Sequence, residues 1–147
     1  MADRVVTGSD HAGLQLRAEV VRIAREKGFE VEDLGPFGAD SVDYPDYARK
    51  VAEAVASGRA KLGILVCGTG IGMSIAANKV KGVRAAVCRS EYEARMARAH
   101  NDANVLCMGE RVIGLGLGGA VVAAFLAQPF EGGRHQRRVD KISALDR

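Results

Sequence analysis

The stretch Leu62–Lys79, LGILVCGTGIGMSIAANK, decides how this chain is read. Its apolar opening has the character of a buried strand. GMSIAANK has the spacing of a helix, and between them lies a loop with glycines at 68, 70 and 72. A strand that ends in a tight glycine loop and hands over to a helix is one unit of a parallel sheet covered by helices. Cys67 stands at the handover, where backbone amides are close by. A thiol there is either an inert core residue or a nucleophile or base.

The same alternation extends outward in both directions. RVVT (Arg4 to Thr7) reads as a first strand, followed by a helix over Leu14 to Lys27 with Leu14, Ala18, Val21 and Arg25 at helical spacing and Gly28 ending it. FEVEDLG gives a second strand, GPFGADSVDYP a long polar loop, and Pro45 opens the next helix. After the central unit come the strand RAAVC and a helix whose Ser90 and Glu93 form a capping box. NVLCMG is the fifth strand, and VIGLGLGGAVVAAFLAQ is an apolar helix expected to be heavily buried. Past Pro129 the tail is expected to leave the globule and end as a basic amphipathic segment. The fold class is therefore α/β, with five parallel strands in one domain spanning residues 1–147. In such a sheet Asp10, His11, Cys67, Thr69, Arg89, Glu110 and Arg111 all follow strands, so they belong to the carboxyl edge, where open parallel sheets bind ligands.

Composition narrows the function classes. A chain of 147 residues can bury about 70% of its unfolded surface without staples. Its formal net charge of +3, from 21 basic and 18 acidic residues, is too small for a polyanion-wrapping surface. Three cysteines, at 67, 88 and 107, form neither a disulfide framework nor the close pairs of a zinc site, which points to a reducing interior. The first residues lack a signal-peptide core, and no uninterrupted apolar run reaches the ~18 residues of a membrane span, so a cytoplasmic protein without membrane contact is expected.

CGTGIGMS is not a P-loop, because no Lys-Ser or Lys-Thr follows, and Met73 stands where a dinucleotide fingerprint needs glycine. What remains is a loop whose amides can converge on an anion, or a plain turn. A thiol beside a helix N-terminus has its thiolate favoured, and a base poised near neutrality suits proton abstraction. Cys88 and Cys107 read as core hydrophobes. His11 beside Asp10, and His100 beside Asn101, form a constellation for acid and base work, although each alone suits a surface or cap. In the tail Arg134 and Arg138 are four apart on one helical face, which suits either a phosphate clamp or a solvated end. Nucleic acid ranks last as a partner, since no aromatic residues interleave with the basic ones.

Taken together, GSDHAG, DYPDYA, CGTGIGMSIAANK, AHNDANVLCMG and EGGRHQRRV resemble the B-type ribose-5-phosphate isomerases and their galactose-6-phosphate and allose-6-phosphate isomerase relatives, in order along nearly the whole chain. The resemblance implies a Rossmann-like three-layer α/β/α domain and a homodimer, or dimer of dimers, with active sites between subunits and the tail 129–147 packed on the partner. It implies metal-independent and cofactor-independent aldose-ketose isomerisation of a sugar phosphate. Residue by residue, Cys67 matches the base that moves a proton between C2 and C1, and His100 the acid that opens the sugar ring. Thr69 counts with them as catalytic. Asp10 and His11 match contacts near the ring oxygen. Gly68, Thr69, Gly70, Ile71 and Gly72 match the loop whose amides hold the enediolate, and Asn101 a hydroxyl ligand. Arg111, Arg134 and Arg138 match phosphate and hydroxyl contacts. One branch of the family uses a glutamate where this chain has Met73, so the cysteine branch is implied. Ribose 5-phosphate is the expected substrate. A six-carbon sugar phosphate is the alternative, with the loop around Tyr44 and the reach of Arg134 setting the choice. A non-enzymatic nucleotide-binding domain is the rival from another class.

Overall fold

The computed structural model describes residues 2–147. Five strands, β1 (Arg4–Ser9), β2 (Glu30–Asp33), β3 (Leu62–Cys67), β4 (Ala85–Val87) and β5 (Val105–Gly109), form one parallel sheet in the order β2-β1-β3-β5-β4. Six helices accompany them: α1 (Leu14–Glu26), α2 (Tyr44–Ala56), α3 (Ile71–Ala77), α4 (Glu91–Asn101), α5 (Glu110–Ala127) and α6 (Arg134–Ser143). The α/β/α sandwich expected from the alternating pattern is present.

Side chains alternate across the strands and divide the core in two. Val5, Ile64, Val66, Leu106 and Met108 point to one face, where Leu16 and Val20 of α1, Ala94 of α4 and Phe125 of α5 cover them. Val6, Leu65, Cys67, Val105 and Cys107 point to the other, under Val51 of α2 and Met73 of α3. Cys67 therefore faces the helix that its own loop begins.

Three expectations are corrected. The buried face of α1 is Leu16, Arg17, Val20 and Ala24, not Leu14, Ala18, Val21 and Arg25. Arg17 can be buried because its guanidinium is used: Nη1 donates to Ser9 Oγ at 2.7 Å, Nη2 to the Pro36 carbonyl at 2.6 Å, and Nε lies 3.1 Å from Asp33 Oδ1. Helix α5 is buried only from its middle onward, at Gly118, Val121, Val122 and Phe125. Val112, Leu115 and Leu117 before it are exposed, and the helix kinks at Gly114. By length and composition α5 could cross a membrane, yet here it packs against α1 and α4. The tail does not leave the globule: α6 lies on α4 of its own chain, with His135 and Val139 buried.

Candidate active site

The chain leaves β1 toward β2 on one side and returns to β3 on the other, so the carboxyl ends of β1 and β3 are a topological switch point. Asp10 and Cys67 meet there. The Asp10 amide donates to the Val66 carbonyl at 3.1 Å, and the nearly buried Asp10 carboxylate accepts from the Ala12 amide at 2.9 Å, capping the short turn His11–Gly13. His11 Nδ1 accepts from the Val42 amide at 3.2 Å. That acceptance leaves the ring's proton on Nε2, which is free to donate.

The glycine loop is folded tightly around the sulfur. Gly70 has φ +82°, a conformation that side chains disfavour, and a Cβ there would lie 2.9 Å from the backbone of Met108. In that conformation its amide donates to Cys67 Sγ at 3.1 Å. A donor aimed at the sulfur is what an anionic sulfur needs. Thr69 is exposed, with Oγ1 accepting from the Ile71 amide at 3.2 Å. Arg111 closes one side: its amide donates to the Gly68 carbonyl at 3.2 Å, and a Cβ on Gly68 would sit 3.3 Å from its Nη1. Tyr44 closes the other, with its ring so near Gly72 that a Cβ there would overlap it at 2.5 Å.

Cysteines 88 and 107 are core residues. Burial, with Glu93 nearby, pushes the Cys88 thiol up to about 12, and complete burial drives that of Cys107 far above the ordinary thiol range. Two other edge residues have structural tasks. Glu110 Oε1 accepts from the Leu16 amide at 2.7 Å and so caps α1, while Arg89 is exposed and pairs only loosely with Glu93.

A second group forms at the opposite edge. Helix α4 runs antiparallel to the strands and ends at the amino edge, where the Asn104 carbonyl accepts from the Gly63 amide at 2.8 Å. Cys67 lies four strand residues beyond Gly63, roughly 13 Å away along the sheet. His100, Asn101, Arg134 and Arg138 are all on this amino edge. The His100 ring stacks on His135 with centroids 4.2 Å apart and planes within 10°. Glu131 Oε1 lies 3.9 Å from His100 Nε2 and 3.6 Å from His135 Nε2. His100, Glu131 and His135 could supply three metal ligands by type. The rings are nearly parallel, so their in-plane lone pairs do not converge and the trio is not a preformed cage. A pocket of about 440 Å³ opens on the same edge, lined by Arg84, Asn101, Ile142 and Leu145 among others, and Cys67 is not part of its lining.

One chain thus brings together Asp10, His11, Cys67, Gly68, Thr69, Gly70, Ile71, Gly72 and Arg111, and keeps His100, Asn101, Arg134 and Arg138 apart from them. Arg17, Glu131 and the stacking of His135 carried no signal in the sequence, because each depends on a neighbour distant in the chain. Tyr44 had one, as a tyrosine immediately before the helix-opening Pro45.

Comparison with known proteins fits this geometry. Residues 5–142 match the family described as Ribose/Galactose Isomerase. The chain is 50% identical over 143 residues to ribose-5-phosphate isomerase B of Escherichia coli K12, covering 97% of this chain and 96% of that protein. The Clostridium thermocellum ribose-5-phosphate isomerase B structure superposes with a TM-score of 0.94 at 54% identity, covering 97% of this chain and 96% of that one. The Mycoplasma genitalium enzyme, solved with bound ribulose-5-phosphate, gives 0.94 at 47% identity over 98% and 96%. A parallel sheet with a glycine-cradled thiol at its switch point, matched over this length, is a sugar isomerase fold, and the chain belongs to the ribose/galactose isomerase family. Within that family it carries the pattern of the B-type ribose-5-phosphate isomerases.

Proposed function

We propose that the chain interconverts ribose 5-phosphate and ribulose 5-phosphate, in a site that two copies of it complete. The single observation that carries the chemistry is the Gly70 amide directed at Cys67 Sγ in a chain matched end to end by B-type enzymes. As thiolate, Cys67 takes the proton from C2 of the open-chain aldose and returns it to C1. The negative charge that develops on the substrate oxygens faces the amides of Gly68 to Gly72. Such preorganised donors are worth ~3 kcal/mol each in comparable sites. Thr69 and Ile71 line the same loop, and Asp10 and the Nε2–H of His11 reach the sugar from the end of β1.

His100, Asn101, Arg134 and Arg138 reach that substrate from a second copy, since in one chain they lie on the far edge. An isologous pairing brings each carboxyl edge to the partner's amino edge twice. The exposed apolar side chains Ile71, Ile75, Val112, Leu115 and Leu117 supply surface for such a pairing. The partner's His100 then protonates the ring oxygen as the sugar opens. The partner's Arg134 and Arg138, with Arg111, hold the phosphate, so binding energy from a non-reacting group orients the reacting carbons. The three buried, unpaired cysteines fit a reducing cytoplasmic setting for this single catalytic domain.

Turnover of purified protein is to be compared on ribose 5-phosphate, allose 6-phosphate and galactose 6-phosphate. Preference for the five-carbon substrate, lost in Cys67→Ala, supports the reading. Full activity in Cys67→Ala removes the thiol from it, and preference for a six-carbon substrate reassigns the sugar.

A further inference from the structure

The two imidazoles of the amino edge are unequal. The His100 side chain is 39% exposed and that of His135 only 8%. His135 is held on three sides: its amide donates to the Gly132 carbonyl at 3.0 Å, Val139 is buried one turn further on, and the His100 ring covers its face. Glu131, which faces both Nε2 atoms, is itself fixed by an amide donated to the Ala99 carbonyl at 3.0 Å. Among the described residues the His100 side chain, at the last turn of α4, has no hydrogen-bonded partner beyond the long contact to Glu131. A half-exposed histidine at a helix end otherwise samples several rotamers.

We propose that His135 is a positioning residue for His100, the fixed plate against which the acid's ring lies, with Glu131 spanning the Nε2 edges of both rings. This rests on the reading of His100 as the ring-opening acid. His135 has the properties of a plate rather than of a second acid. Burial, then the neighbouring His100 and Arg134, hold its proton affinity below the usual histidine range, with Glu131 opposing and Arg138 adding to the effect. Protons on both of two rings 4.2 Å apart would repel each other, so the buried ring stays neutral while the exposed one works.

The test separates ring opening from proton transfer. Ribose 5-phosphate enters as a closed ring and needs the acid, whereas ribulose 5-phosphate is open-chain, and its C1 proton can exchange with solvent D2O through Cys67 alone. Expected for His135→Ala is a drop in kcat on ribose 5-phosphate on the order of tenfold to a hundredfold. C1 exchange on ribulose 5-phosphate, followed by NMR, is expected to stay near the parent rate. His135→Phe, which keeps the stacking face, is expected to recover most of the loss, and His135→Asn, which does not, to recover none. Equal loss in both reactions, no loss in either, or a Phe variant as poor as the Asn variant overturns the proposal. Should His135→Ala fail to fold, the Phe and Asn pair decides alone. His100→Asn is the control for the underlying reading. If it leaves ring opening intact, His100 is not the acid. If it stops ring opening while His135→Ala does not, only the positioning role fails.

Discussion

A mixture of two inactive variants should recover activity. Cys67→Ala removes the sulfur from the carboxyl edge, and His100→Asn removes the imidazole from the amino edge, about four strand residues or roughly 13 Å away along the sheet. In the proposed dimer, two copies of either variant then give two broken sites. In a dimer with one chain of each kind, one site receives both lesions and the other receives neither. Random pairing makes half the dimers mixed, so about a quarter of all sites are intact, and coexpressed, differently tagged chains purified as the mixed form reach about half. The assay is ribose 5-phosphate turnover per site before and after joint refolding of the two variants. The argument is refuted if the mixed form is as inactive as its parents, because both residues would then serve the same chain's site. It is equally refuted if either variant alone retains parental turnover.

Four further outcomes are expected. Gly70→Ala forces a side chain into φ +82° against the Met108 backbone, so denaturant midpoints should report a loss of about 1–3 kcal/mol, with turnover falling in the protein that remains folded. At pH 8 iodoacetamide should label Cys67 alone, because Cys88 is pushed up to about 12 and Cys107 is fully buried; peptide mass spectrometry showing Cys88 modified first contradicts the site. Arg17→Met should cost about 3 kcal/mol by leaving the buried Ser9 hydroxyl and the Pro36 carbonyl without their donor, and should raise KM through the loop that ends at Val42 and His11. His135 titrates below its ordinary value of about 6.5 when folded, so it is neutral in both states above that pH, and the unfolded chain takes up the proton first as pH falls. Stability should therefore decline through the window just below pH 6.5, and thermal melts of His135→Phe should show a shallower decline there.

Local chemistry was legible in the sequence wherever a signal is short-range. The strand, loop and helix around Cys67 lie where the glycine spacing puts them, and the Ser90 cap forms, with Ser90 Oγ accepting from the Glu93 amide at 3.1 Å and the Glu93 carboxylate accepting from the Arg89 amide at 2.8 Å. The face of α1 was misread because a periodicity argument counts Arg17 as solvent-facing, while Asp33, Ser9 and Pro36 make its burial favourable from across the fold. The first half of α5 was misread for the converse reason: Leu115 and Leu117 have an apolar composition, but one chain offers them nothing to cover. That His100 and Cys67 lie at opposite edges of the sheet follows from the direction of α4 relative to β5. Residue order carried it, but the five motifs read as one list conceal it.

The segment from Gly35 to Val42 is a hoop pinned at both feet. The Ser9 amide and the Arg17 guanidinium grip the first, at the Gly35 and Pro36 carbonyls, and His11 Nδ1 grips the second at the Val42 amide. Its crown, Phe37 to Ser41, is open to solvent, with Phe37 82% exposed. With the sugar bound beside Cys67 as proposed, lengthening or shortening the crown would change the headroom over it while leaving the thiol and its amide donor where they are. Sugar length and proton transfer can therefore drift independently in descendants of this chain.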